Sequence, residues 1–141
     1  MSGKILIFGS TGAVGSSLAK LLKDSNKIHL IGKNEEEISK LAEETNGSFS
    51  VADVTDPNLI ENIDKDLGDV DIAGIAYCVG SIDLKPINLV SKKDYLKSFE
   101  LNFFPIVEII KKYKENLKKN KSSIVVFSTV AVKQGFPNHR F

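Results

Sequence analysis

Cysteine is nearly absent from this sequence, since Cys78 is its one representative among 141 residues. A single thiol excludes an internal disulfide and any zinc site built from several cysteines. The amino terminus lacks the basic and then apolar order of a signal peptide, and no apolar run approaches the roughly 20 residues needed to cross a bilayer. We therefore expect a cytoplasmic protein in a reducing setting, with no membrane partner.

Neither sign of charge is in excess, because 19 basic residues accompany 18 acidic ones and the formal net charge is +1. A dedicated nucleic-acid binder needs a basic surplus that attracts phosphates. No nucleic-acid partner is therefore expected. The length suits one domain with a buried core, which we place over residues 1–141.

Short apolar or β-branched runs alternate with stretches of helical spacing. The runs are interpreted as buried strands, at Ile5–Phe8, Lys27–Ile31, Ser48–Val51, Val70–Tyr77 and Ser123–Phe127. Between them, apolar residues recur at helical spacing: Val14, Leu18, Leu21 and Leu22, then Ile38, Leu41 and Ala42, then Leu59, Ile60, Ile63 and Leu67. Thr55 and Asp56-Pro57 are predicted to cap and start the third helix. The alternation predicts an α/β fold, a doubly wound parallel sheet covered on both faces.

Three glycines at intervals of three, Gly9, Gly12 and Gly15, lie between the first strand and the first helix. Ligands of such sheets bind at the carboxyl ends of the strands, and helix N-termini hold phosphate through free N–H groups. A phosphate-binding loop of the nucleotide-hydrolysing type would need a lysine before a serine or threonine, but Gly15 precedes Ser16 and Ser17. The turn therefore favours a dinucleotide pyrophosphate, and a plain tight turn is the alternative.

Five segments occur in order along the chain: FGSTGAVG, ADVTD, YCVGS, LNFFP and IVVFSTVAVKQG. In that order they resemble the motifs of the short-chain dehydrogenase/reductase family. The resemblance covers essentially all of the chain and implies an NAD(P)-dependent oxidoreductase. It also implies a Rossmann-type sheet of about five strands in the order 3-2-1-4-5. The sequence departs from the family pattern in two places. Ala13 stands where the commoner form of the glycine motif has a glycine, and Cys78 and Val79 replace residues of the family's usual NNAG segment.

The same resemblance implies which residues contact the cofactor. They come from the glycine turn, the end of the second strand, the segment after the third strand that contacts adenine, and the NNAG-like segment. These residues are Gly9, Ser10, Thr11, Gly12, Ala13, Val14, Gly15, Lys33, Asp53, Val54, Cys78, Val79 and Gly80.

The end of the second strand bears on the choice of dinucleotide. An acid there would bond the adenine ribose hydroxyls and repel an added phosphate. The sequence has Lys33 and Asn34 instead. We therefore expect NADP rather than NAD, with Lys33 near the 2′-phosphate. NAD would be favoured if Glu35 turned back toward the ribose.

For chemistry, the resemblance implies hydride transfer between a nicotinamide and a small-molecule carbonyl or alcohol. Asn102 matches the family's catalytic asparagine, which holds a water relay. Thr129, more than Ser128, matches the hydroxyl that orients the substrate oxygen. The plainer interpretation of Asn102 is a local helix distortion caused by Pro105, and both descriptions can hold together.

The family's catalytic tyrosine follows that hydroxyl by about a dozen residues, and no Tyr-x-x-x-Lys occurs after Thr129. We therefore expect residues 1–141 to be the cofactor-binding front portion of a longer reductase, inactive alone. One alternative is a non-catalytic dinucleotide-binding regulator. Another is a sugar-nucleotide epimerase of the family's extended branch, which the STVAVKQG segment resembles less.

Other residues receive plainer interpretations. Cys78 is expected to be a small buried side chain rather than a nucleophile, and His29 a satisfied structural one. His139 lies on the expected substrate side without a placed partner. A homo-oligomer is expected, because LNFFPIVEII is apolar and the last strand would form an open sheet edge.

Overall fold

The computed structural model of the protein describes residues 3–130 and 133–134. Its strands are β1 (Lys4–Phe8), β2 (Lys27–Gly32), β3 (Ser48–Val51), β4 (Ile72–Tyr77) and β5 (Ser123–Val126). They form one parallel sheet in the order β3-β2-β1-β4-β5. The predicted fold class and strand order are confirmed.

Helices connect these strands: α1 (Ala13–Leu22), α2 (Glu35–Thr45), α3 (Leu59–Leu67), α4 (Lys92–Asn102) and α5 (Phe104–Asn120), with a 3-10 turn at Ile87–Leu89. Successive residues of a strand point to opposite faces. Leu6 and Phe8 accordingly pack with α3 and α5, while Ile7 packs with α1 and α2. The sheet is thus covered on both faces. None of the helices within the described ranges is both long and apolar enough to cross a membrane.

The apolar face of α1 differs from the predicted one. Val14 and Leu21, expected in the buried stripe, are 47% and 77% exposed. The buried residues of this helix are Gly15 and Ala19. Because these two residues are small, α1 lies close to the sheet along their side, while Leu18 and Leu22 of the predicted stripe are partly buried against the same core.

The predicted start of α3 is wrong by several residues. The helix begins at Leu59, and the preceding segment forms turns held by carboxylates. Asp53 Oδ1 accepts hydrogen bonds from the N–H and hydroxyl of Thr55 at 2.9 and 2.8 Å, and Asp56 Oδ1 accepts one from the Asn58 N–H at 2.8 Å. Such side-chain to backbone bonds compete with helix formation, so Thr55 and Asp56 build turns ahead of the helix.

Four strand ends also differ by one or two residues from prediction, and two of these are that β1 begins one residue earlier, at Lys4, and β2 ends one residue later, at Gly32. β4 begins at Ile72 rather than Val70, because the Asn116 amide on α5 bonds the Ile72 N–H at 2.8 Å and the Val70 carbonyl at 2.9 Å. Backbone groups held by a side chain in this way are not available to extend the ladder. β5 ends at Val126, one residue before the predicted Phe127.

His29 is fully buried on β2, as a satisfied structural residue should be. Its Nδ1 lies 2.8 Å from Ser48 Oγ and its Nε2 lies 2.9 Å from Ser50 Oγ. The Lys4 ammonium donates to the same Ser48 oxygen at 2.9 Å. Since Lys4 can only donate, the Ser48 hydroxyl can donate to Nδ1, which favours a neutral ring protonated on Nε2.

Burial, and then the nearby Lys4 charge, lower the pKa of His29 from 6.5 to about 4, while Asp66 acts in the opposite direction. Between these two values the unfolded state binds a proton that the folded state does not, so stability falls as the pH falls. From about pH 7 to about pH 5 we expect a loss of about 2 kcal/mol in the free energy of unfolding. Urea denaturation across this range measures it, and His29→Gln should flatten the slope. An unchanged slope in the variant would contradict the assignment.

Candidate functional site

The carboxyl ends of all five strands lie along one edge of the sheet, because the strands are parallel. The glycine turn follows β1, Lys33 follows β2, Asp53 follows β3, and Cys78 follows β4. Ser128 and Thr129 follow β5 and are exposed. Ligands of doubly wound sheets bind at this edge, where connections leave toward opposite faces. The edge therefore contains the candidate site.

Two of the three glycines are required by the packing of the turn itself. Gly9 has a φ of +70°, and a Cβ built on it would lie 2.9 Å from Val79 Cγ2. A Cβ on Gly15 would lie 2.3 Å from the Gly9 carbonyl oxygen. These glycines let α1 and the end of β4 approach the turn closely. The spacing of the glycines favoured a ligand at this turn, with a plain tight turn as the alternative, and for these two glycines the structure gives a packing reason.

Gly12 differs from the other two, because it is exposed and forms the N-cap of α1. The nearest atom to a Cβ built there is the Gly9 oxygen at 3.3 Å. Among the described residues, no side chain caps α1 and no acidic residue occupies its first turn. The N–H groups of the first turn of α1, including those of Ala13 and Val14, lie at the positive end of the helix dipole. This end of α1 suits an anion.

Ser10 anchors the turn rather than facing the open edge. It is fully buried, and its hydroxyl donates to the Ile31 carbonyl at 3.2 Å. The backbone N–H groups of Gly9 and Ser10 donate to the same oxygen at 2.9 and 3.1 Å. The turn is therefore fixed to the end of β2. Thr11 is half-buried beside Gly32. Its Cγ2 would lie 3.7 Å from a Cβ built on Gly32.

A cation and a carboxylate lie near each other at the ends of β2 and β3. Lys33 is exposed and contributes to lowering the pKa of Asp53, which the N–H and hydroxyl of Thr55 lower more strongly. Val54, the other predicted adenine contact, is buried in the core beneath α3. Three acids, Glu35, Glu36 and Glu37, occupy the first turn of α2, and the Asn34 side chain caps that helix by accepting from the Glu37 N–H at 3.2 Å. An open depression beside Lys33 includes Asn34, Glu35, Glu36 and Ser39.

The segment after β4 packs against the glycine turn. The Cys78 N–H donates to the Phe8 carbonyl at 2.9 Å, and Val79 reaches Gly9. Cys78 is half-buried, and burial raises the pKa of its thiol. A thiol that is protonated at neutral pH is a poor nucleophile. This agrees with its interpretation as a small packing residue.

Asn102 holds the next part of the same segment. Its Oδ1 accepts from the Ser81 N–H at 3.0 Å, while its Nδ2 donates to the Ser81 carbonyl at 3.0 Å and to Ser98 Oγ at 3.2 Å. The helix breaks at Phe103, directly after Asn102, as the presence of Pro105 had suggested. Asn102 therefore fixes the backbone beside Gly80, and its role in a water relay stays a prediction.

The tyrosine of α5 does not belong to this edge. Tyr113 lies on α5 and donates its hydroxyl to Asp64 Oδ1 at 2.9 Å, so it cannot serve the site. His139 lies outside the described residues. No group of three or more histidine, cysteine or carboxylate side chains suited to a metal ion occurs within residues 3–130 and 133–134. Sequence reasoning assigned no role to the Tyr77 hydroxyl or to Ser81. The Tyr77 hydroxyl, at the end of β4, donates to the Leu101 carbonyl, and the Ser81 N–H, in the segment after β4, donates to Asn102.

The sequence model of the family described as short chain dehydrogenase matches residues 3–140. The chain therefore belongs to the short chain dehydrogenase family. Members of this family generally bind NAD(P), and the residues of the glycine turn suit such a group, because the exposed N-terminus of α1 can receive a pyrophosphate.

Individual proteins are similar to this chain in sequence or in fold. An uncharacterized oxidoreductase of Schizosaccharomyces pombe is 29% identical over an alignment 141 residues long. The alignment covers 94% of this chain and 56% of that protein. A short chain dehydrogenase/reductase structure from Saccharomyces cerevisiae matches with a TM-score of 0.85 at 22% identity, over 96% of this chain and 57% of its own. Serine dehydrogenase from Escherichia coli matches with a TM-score of 0.82 at 16% identity, over 96% of this chain and 65% of that chain. The two structures share the fold, and the chain spans little more than half of the curated relative.

The contact between Gly15 and the Gly9 carbonyl gives a test of the turn. Gly15→Ala should lower the free energy of unfolding by roughly 1–3 kcal/mol, because the added methyl group overlaps backbone that α1 needs to approach. Gly12→Ala is the matched control and should cost about 1 kcal/mol or less, since its Cβ meets open space apart from one oxygen. Thermal or urea denaturation compares the two. Equal losses would contradict the division of roles between these glycines.

Proposed function

We propose that this chain forms the nicotinamide-dinucleotide-binding part of an oxidoreductase acting on a small-molecule carbonyl or alcohol. The observation that carries the proposal is the uncapped, exposed N-terminus of α1, placed by the glycine turn at the carboxyl edge of a parallel sheet. A pyrophosphate held there would receive hydrogen bonds from N–H groups at the positive end of a helix. When bound, the nicotinamide supplies or accepts the hydride.

The contrast between the first two helices supports this location. Three acids, Glu35, Glu36 and Glu37, occupy the first turn of α2, and Asn34 caps it, so its N-terminus is already compensated. The first turn of α1 has no acid, and its N-cap is a glycine. An anionic ligand is therefore better received by α1 than by α2.

We further propose NADP as the preferred dinucleotide. Lys33 directly follows β2 and is exposed, and the sequence has no acid at positions 33 and 34 that would bond the ribose hydroxyls. A lysine near a 2′-phosphate forms a charge-assisted hydrogen bond. The nearby Asp53 carboxylate accepts two hydrogen bonds from Thr55, which orient it and leave its negative charge in place.

Lys33→Ala tests this preference. Each hydrogen bond to a charged group contributes about 1.5–3 kcal/mol, so the variant should weaken NADPH binding by about tenfold or more and leave NADH binding nearly unchanged. Fluorescence titration or calorimetry with both cofactors gives the dissociation constants. Lys23→Ala, which removes the same charge near the end of α1, is the control. Equal affinity of the unmutated chain for both cofactors, or a preference for NADH, would contradict the proposal.

For the chemistry, we propose that Thr129 orients the substrate oxygen, with Ser128 beside it, and that Asn102 supports the relay of protons. Both hydroxyl residues follow β5 at the carboxyl edge and are exposed. The three tyrosines of the sequence precede Thr129, and those at 77 and 113 donate their hydroxyls to other groups of the fold. Neither of these two hydroxyls is therefore available as a proton donor to substrate.

The 141-residue chain alone should accordingly fail to turn over carbonyl substrates even when it binds cofactor. A positioned general acid supplies about 10²–10⁴-fold in rate, and its loss leaves the developing alkoxide to water or to Thr129. NADPH absorbance followed with a panel of ketones and aldehydes measures this, beside a version extended along its natural reading frame. A short chain as fast as the extended one would show that a residue within positions 1–141 supplies the proton.

We also propose self-association. Phe99, Phe103 and Phe104 form a cluster of rings with centroids 5.7–5.9 Å apart, and about half of each side chain is exposed. The residues of β5 are exposed as well, and within the described residues this strand pairs with β4 alone. Apolar patches and open strand edges both favour contacts with another chain.

A further inference from the structure

The break between α4 and α5 leaves one carbonyl without its helical partner. In a continuous helix the Leu101 carbonyl would accept a hydrogen bond from the N–H of residue 105. That residue is Pro105, which has no N–H and whose ring presses against the carbonyl four residues earlier. The backbone accordingly leaves helical geometry at Phe103, with φ −127° and ψ −59°.

Tyr77, at the end of β4, supplies the missing donor. Its hydroxyl donates to the Leu101 carbonyl at 2.8 Å. The side chain is 4% exposed, and its ring lies against Phe8, with centroids 5.9 Å apart. Burial raises the pKa of this hydroxyl, so it stays a protonated donor at physiological pH. A buried side chain of the sheet thus satisfies the carbonyl that Pro105 has freed.

The residues at the two ends of this contact belong to the candidate site. Phe8 directly precedes Gly9 of the glycine turn, and Cys78 directly follows Tyr77. On the other side, Leu101 directly precedes Asn102, whose amide group holds both backbone polar groups of Ser81. The Tyr77 hydroxyl is therefore one link in a chain of contacts from the end of β1 to the loop after β4.

We propose that Tyr77 is a positioning residue of the cofactor site. By holding the Leu101 carbonyl, its hydroxyl fixes the break after α4 so that Asn102 faces Ser81, and Asn102 in turn sets the backbone of residues 78–81. This inference rests on the proposed function, because these residues matter to a dinucleotide only if one binds at the edge they line.

The competing explanation is that Tyr77 merely satisfies a buried carbonyl. Pro105→Ala separates the two, because an alanine at this position provides the N–H that the Leu101 carbonyl lacks. In the double variant Tyr77→Phe with Pro105→Ala, the carbonyl regains a donor but the break loses its cause. If the hydroxyl only satisfies the carbonyl and the break does not place Asn102, then stability, Ser81 exchange and NADPH binding would all recover in the double variant. If the hydroxyl positions Asn102 through the break, the double variant would regain stability, while Ser81 exchange and NADPH binding would stay impaired.

Two measurements on the same variants make the test. Hydrogen exchange of the Ser81 amide, followed by NMR, reports the bond to Asn102 through local opening. NADPH titration reports the cofactor site. Tyr113→Phe is the matched control, because Tyr113 is 6% exposed and its hydroxyl also makes one hydrogen bond, to Asp64 at 2.9 Å, away from the edge.

We expect Tyr77→Phe to speed exchange at Ser81 by about tenfold and to weaken NADPH binding severalfold, the effect of one lost hydrogen bond. Tyr113→Phe should change neither while lowering stability by a similar amount. Adding Pro105→Ala to Tyr77→Phe should restore stability and leave the exchange and the binding impaired. Recovery of all three, or equal effects of the two tyrosine variants on Ser81, would overturn the proposal.

Two further readouts keep the test decisive. If Tyr77→Phe does not fold, the unmutated protein answers instead, because a buried, bonded Tyr77 hydroxyl proton should exchange slowly, and fast exchange would overturn the link. If the unmutated chain binds no NADPH, the proposed function fails. The Ser81 exchange data then still decide whether Tyr77 acts through Asn102.

Discussion

The close contact of Gly15 with the Gly9 carbonyl is the constraint on which the candidate site depends. It brings the first turn of α1 directly over the end of β1, and the Ile31 carbonyl fixes the same turn to β2 through three hydrogen bonds from Gly9 and Ser10. Because both attachments are made by backbone or by a buried hydroxyl, the N-terminus of α1 is held rigidly. Its exposed N–H groups need no rearrangement to receive an anion.

The other half of the site is built around a missing hydrogen bond. Pro105 removes the helical donor of the Leu101 carbonyl, the Tyr77 hydroxyl replaces it, and Asn102 is left facing the loop after β4. The helix break is thus an organised feature with partners on both sides, rather than a local irregularity. It joins the segment that contacts the glycine turn to the helix that bears the predicted catalytic asparagine.

Fold and site differed in how far the sequence could predict them. Strand runs such as Lys27–Ile31 could be placed from their apolar and β-branched residues, and their parallel direction followed from alternation with helices, whereas the order 3-2-1-4-5 came from the resemblance to the family. The role of Gly15 could not be predicted, because residue periodicity does not show that a Cβ built on this glycine would meet the Gly9 oxygen. Thr55 and Asp56 were predicted to cap and start α3 but form turns ahead of it, since the same residue types favour both. Tyr77 belongs to the fourth strand and to the YCVGS segment, but no role could be assigned to its hydroxyl because the partner Leu101 is 24 positions away.

The central claim is that a dinucleotide pyrophosphate binds at the N-terminus of α1. NMR titration of the isotope-labelled chain with NADPH measures this directly, through the shifts of backbone amide signals. The account predicts that the largest changes fall on Gly12, Ala13 and Val14, with smaller ones at Lys33, and that the first turn of α2 at Glu36 and Glu37 changes little. Saturable binding that leaves the amides of Gly12 to Val14 unperturbed would contradict the account.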